Sequence, residues 1–161
     1  MQIFPTNNYK IELKGNPENM IELLKLNTFK SNSLSTKLTN KEFIGRINGS
    51  HFEIIGSEIG IGAFTVLRGN YSYNTLNVIV ELNKPFKVLI SILFLFGVGG
   101  IAFIAFKIGF PKAFGMLIPL AMLIGFIRFI FLGRFFNVSS NLNFGKLSRL
   151  LNCSEFNKNY H

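Results

Sequence analysis

General acid–base work needs a titratable side chain with a second polar group converging on it, and this chain offers few candidates. His51 follows an Asn48-Gly49 turn and reads as a solvated turn residue, while His161 is the last residue. Glu53 and Glu58 fall on or beside a strand and are expected to face water, with no partner identifiable for either. One cysteine, Cys153, and no His/Cys cluster at metal-ligand spacing argue against a metal centre. The glycines of GSEIGIG (56–62) lack the Lys-Ser/Thr ending of a phosphate loop and read as a turn between strands, or as the lip of a ligand site. Gly97, Gly99 and Gly100 lie inside an apolar run, where no phosphate loop can form. No catalytic residue, metal ligand or cofactor-binding residue follows, and the chain is expected not to be an enzyme.

Arg128 is the other residue whose chemistry matters, since an arginine within a bilayer marks a pathway, a buried pair or an anchor. It precedes Arg134 by six residues, about 9 Å along a helix axis. At that depth its long stem carries the guanidinium to the headgroup phosphates. The facing apolar run offers only Ser91 as a polar group, too little for a transport site. Arg128 therefore reads as a membrane anchor together with Lys84, Lys87 and Arg134. The alternative is a buried pair with an acidic residue of another chain.

The elements that must hold these residues follow from composition. Of 161 residues 48% are hydrophobic and 16% charged, against about 25% charged in soluble domains. The deficit is local: residues 88–105 carry no charge at all. Residues 86–106 and 113–136 are each long and apolar enough to cross a bilayer, and neither leaves a polar stripe. They read as a two-helix transmembrane hairpin. Gly97 and Gly100 on the first helix, and Ala121 and Gly125 on the second, are the small residues that would let the helices approach. Pro119 would kink the second near its middle.

Basic residues set the orientation. The net charge of +9 is uneven: residues 1–87 hold ten Lys or Arg against seven Glu, and the rest flank or enter the apolar runs. No nucleic-acid motif accompanies them. Lys84 and Lys87 precede the first run, Arg134, Lys146 and Arg149 follow the second, and Lys107 and Lys112 lie in or beside the connecting loop. The first residues do not resemble a signal peptide. Both termini are expected in the cytoplasm of a bacterium, with the hairpin in its inner membrane.

The first 85 residues read as an α+β domain. Residues 9–13 alternate like a strand, Asn16 and Pro17 open a helix running to about Leu26, and residues 28–40 read as a polar loop. EFIGRI and HFEIIG flank the Asn48-Gly49 hairpin signal, and AFTVLRG and LNVIVEL follow, joined around 70–75. About five strands make an antiparallel meander with one helix on a face. Residues 137–161 hold a short amphipathic helix on Leu142, Leu147, Leu150 and Leu151, to pack on the sheet or lie on the membrane, and then a frayed tail.

Phe43, Gly45, Phe52, Ile54 and Gly69, followed by the apolar runs, resemble small uncharacterised bacterial two-helix membrane proteins whose cytoplasmic β-meander is similar in kind to pleckstrin-homology-like modules. The resemblance implies no functional residues. The expected role is tethering a cytoplasmic module that recruits or regulates a protein partner, with membrane lipids as the other contact. A small subunit of a transport or pore assembly is the alternative.

Overall fold

The computed structural model describes residues 4–12, 17–72, 75–109, 115, 117–152 and 156–159. The expected Asn16 cap, residues 110–112 of the connecting loop with Lys112, the start of the second run at 113–114, Cys153 and His161 lie outside them. The chain forms two units, one of Met1–Asn83 with Phe136–His161 and one of Lys84–Phe135.

The first unit is α+β. Its strands are β1 (Thr6–Glu12), β2 (Thr28–Lys30), β3 (Phe43–Asn48), β4 (His51–Gly56), β5 (Thr65–Ser72), β6 (Thr75–Leu82) and the four-residue β7 (Phe156–Asn159). The sheet order is β2-β3-β4-β5-β6-β1-β7. Period-two patterning builds it: along β6, Leu76, Val78, Val80 and Leu82 are buried while Asn77 and Ile79 are exposed. The β3–β4 turn is Gly49-Ser50, with Gly49 at φ 56, which is the first-position glycine of a type II′ turn.

Two helices cover one face. Helix α1 (Pro17–Leu26) contributes Leu24. Helix α4 (Phe136–Leu150) contributes Phe144 and Leu147, with Leu151 just beyond it, and all join Tyr9, Ile11, Phe52, Ile54, Leu67 and Val78 in one core. Tyr9 stacks on Phe144 with ring centroids 3.7 Å apart. The chain leaves α4 through Asn152, whose φ of 51 is the left-handed conformation that asparagine tolerates at a helix end. On the opposite face Ile44, Ile55 and Val66 are packed against Leu34 and Ala63.

The second unit holds α2 (Lys84–Ile108) and α3 (Leu117–Phe126), continued by a π-helical stretch, Ile127–Phe135. Pro85 sits in the first turn of α2, where its missing N–H forfeits no bond. Nine π residues are many for a geometry that usually lasts one turn.

Several expectations need correction. The sheet is mixed, because Thr28–Lys30, placed in a polar loop, pairs parallel to β3. The tail expected to fray supplies β7, antiparallel to β1. The second apolar helix does not stop near 136 but runs unbroken from Leu117 to Leu150. Ser and Asn side chains often divert the backbone from helix by bonding to it locally. Here Ser139, Ser140 and Asn143 are turned onto the sheet instead. Pro119 falls in the first turn of the described α3, and the mid-helix irregularity is the π stretch.

Candidate functional site

Strand register assembles a charged ladder on the open face of the sheet. Arg46 pairs with Glu53 across β3–β4, and Glu53 with Arg68 across β4–β5. Arg46 donates Nε–H and Nη2–H to Glu53 Oε2 at 2.9 and 2.6 Å, and Arg68 does the same to Oε1 at 3.0 and 2.8 Å. Arg68 also pairs with Glu81. The two arginine side chains are about half exposed, but the Glu53 side chain between them is only 14% exposed. Partial burial pushes the Glu53 carboxyl up, and the hydrogen bonds and charges of Arg68 and Arg46 outweigh it, holding its pKa below the usual carboxylate value.

A second row, Asn48, His51, Asn70 and Asn77, lies in register beside the ladder. Together with Ile79 these residues line a shallow open depression. His51 Nδ1 is 3.1 Å from the Ser50 hydroxyl. A carboxylate whose two oxygens each face a guanidinium is a poor proton acceptor. The face is suited to hydrogen bonding and charge pairing. Among the described residues no group of three His, Cys, Asp or Glu could hold a metal.

On the other face a buried polar clamp fixes α4. Asn143, fully buried, donates its amide to Gly62 O at 2.9 Å and Thr65 Oγ1 at 3.0 Å. The Thr65 and Ser139 hydroxyls lie 2.8 Å apart, Ser139 donates to Ile61 O, and Asn7 donates to Ser140 Oγ. The GSEIGIG glycines make the space: a Cβ on Gly56 would stand 2.2 Å from Asn143 Oδ1, and one on Gly62 2.5 Å from Gly56 O. That segment thus turns between strands and seats a helix.

The residues singled out as anchors and packing sites lie at or within the second unit. Lys84 opens α2 and is exposed, and Lys87 is half-buried. Arg128 and Arg134 both lie on the π stretch and are exposed. A Cβ on Gly97 would stand 2.8 Å from Leu120 Cδ1, so α3 meets α2 there, while a Cβ on Gly100 or Gly125 meets nothing within 4 Å. Ala121 is exposed. The structure therefore brings Gly97 against Leu120 and does not gather the four small residues at one contact.

Sequence reasoning missed the ladder and the clamp. The ladder was hidden by the turn: a two-residue turn at Asn48-Gly49 would set Arg46 opposite His51, whereas the observed Gly49-Ser50 turn sets it opposite Glu53. The clamp had no signal, since it joins residues more than seventy positions apart. Neither protein-family models, curated proteins nor solved structures give a match to this chain.

Proposed function

We propose that this chain is a non-enzymatic, membrane-anchored module of a bacterial inner membrane, with both termini in the cytoplasm, whose α+β unit recruits or regulates a protein partner. One observation carries the reading: helices of 24 and 34 residues are long and apolar enough to cross a membrane, and the most apolar stretch of the first holds no buried residue. Apolar surface of that extent is stable in hydrocarbon and not in water. Partner docking is drawn to the polar face of β3–β6. The sheet ends in β2 and β7, of three and four residues, which are short edges for an added strand. Arginines in such a depression supply the directional contacts on which interfaces depend.

The test is affinity capture from detergent-solubilised native membranes. The intact chain is expected to stay with the membrane through alkaline carbonate washing and to retain a co-purifying protein. The double substitution R46A/R68A is expected to keep membrane association and lose that protein. Recovery of the chain in the soluble fraction defeats the reading.

Exposed Arg128 favours a second reading, as a small subunit of a transport or pore assembly in which it pairs with an acidic residue of another chain. Arg128→Leu separates the two. Retained insertion and partner binding support the tether, and intact insertion with lost assembly supports the subunit.

A further inference from the structure

The loop between β4 and β5 carries two isoleucines that the sheet does not cover. Ile59 is 75% exposed and Ile61 36%, although isoleucine is among the residues most often found inside. Gly60 between them adopts φ 89, a left-handed turn open to glycine, and a Cβ there would meet nothing within 4 Å. The turn is therefore uncovered as well as apolar.

The backbone just after this turn is held by the two places where the chain passes between the sheet unit and the apolar helices. Four successive carbonyls are taken. Ile61 O accepts from the Ser139 hydroxyl and Gly62 O from the Asn143 amide, both on α4. Ala63 O accepts from the Asn83 side chain and Phe64 O from the Asn83 backbone N–H, each at 2.9 Å. Asn83 is followed directly by the first residue of α2, and Ser139 lies three residues after the first of α4. A chain spans at most about 3.6 Å per residue, so Ile59 stays within about 7 Å of Ile61 and cannot stray far from either passage.

We infer that residues 59–61 form a lipid-contacting tip: Ile59 and Ile61 insert into the headgroup–acyl boundary of the leaflet that receives α2 and α3. The sheet unit is then seated on the bilayer as well as tethered to it. The inference rests on the reading of the apolar helices as membrane spans. It assigns GSEIGIG two tasks, with Gly56, Gly62 and the Ile61 and Gly62 carbonyls seating α4 and the isoleucines meeting lipid.

The chain contains no tryptophan, so single substitutions give clean reporters. Ile59→Trp, Leu95→Trp and Ser50→Trp are each reconstituted as full-length protein in phosphatidylethanolamine–phosphatidylglycerol vesicles, with and without brominated acyl chains. Leu95 lies within α2, and Ser50 lies in the turn at the opposite end of β4 from the loop. The expected result is strong quenching of Leu95→Trp, blue-shifted emission and loss of about half the intensity for Ile59→Trp, as suits a residue about 5–10 Å into the boundary, and no quenching of Ser50→Trp. Water-exposed, unquenched emission from Ile59→Trp overturns the inference while Leu95→Trp stays quenched. So does blue-shifted but unquenched emission, which would mean that protein covers the loop, or equal quenching of Ser50→Trp. Unquenched Leu95→Trp overturns the membrane reading itself, and this inference with it.

Discussion

Glu53 shows how position decides the work of a carboxylate. Alone on a strand it would be a solvated charge, but cross-strand register surrounds it with Arg46 and Arg68. Its folded pKa lies below the unfolded value of about 4.3. The ladder's contribution is therefore fully present above that value and is lost as pH falls through the lower folded pKa. The thermal midpoint in detergent is expected to drop as pH is lowered below about 4. Glu53→Gln should flatten that dependence. Because the arginine side chains are half exposed, the same variant should cost only about 1 kcal/mol at neutral pH. An unchanged acid profile in Glu53→Gln would mean that other carboxylates govern it. Asn143 works through burial instead. Asn143→Leu removes the donor to Gly62 O and Thr65 Oγ1 and should cost about 1–3 kcal/mol, measured by thermal unfolding. Gly56→Ala, whose new Cβ would collide with Asn143 Oδ1, should destabilise by a similar amount because overpacking a tight site typically costs about 1–3 kcal/mol.

At the scale of elements, α4 belongs to the sheet by packing although it is continuous with an apolar helix. Leu147 is fully buried in the core while Val138 on the same helix is 54% exposed. Leu147→Ala should therefore cost about 2–5 kcal/mol and Val138→Ala less than about 0.5 kcal/mol. Similar costs for both, read from the same unfolding measurement, would mean that α4 does not rely on that face. Strands β3 to β6 and helix α1 were legible because alternation, a hairpin signal and a proline near the helix start are local. Strand β2 was hidden because three residues of TFK are too short to show a period, and β7 because its four residues gain strand form only by pairing with β1. The buried stripe of α4 was half legible: Leu147 and Leu151 follow helical spacing, but Ser139, Ser140 and Asn143, which complete it, look like surface residues until Thr65, Tyr9 and Gly62 supply their partners. The π stretch has no compositional mark that we recognise.

At the scale of the whole molecule, the core of the sheet unit constrains topology without reference to charge. Tyr9, Ile54 and Val78 come from before the apolar stretch 84–135, and Phe144, Leu147 and Leu151 from after it, yet all pack in one cluster. Both ends of the stretch must then lie on the same side of any bilayer it crosses, so it crosses an even number of times. Helix α2 at about 1.5 Å per residue is long enough for one crossing, and α3 with the π stretch is long enough for the return. In the sequence, Lys84, Lys87, Arg134, Lys146 and Arg149 flank the outer ends of the two apolar runs and outnumber Lys107 and Lys112 between them, and this bias is the reason for proposing that the sheet lies in the cytoplasm. In a Cys153→Ser background, Lys112→Cys is expected to react with a membrane-impermeant maleimide in intact cells, and Ser50→Cys only after permeabilisation. Labelling of Ser50→Cys alone would keep the two crossings and reverse their direction. Labelling of both in intact cells, or of neither, would mean that at least one helix does not cross, and the shared core would then be the only element of this topology left standing.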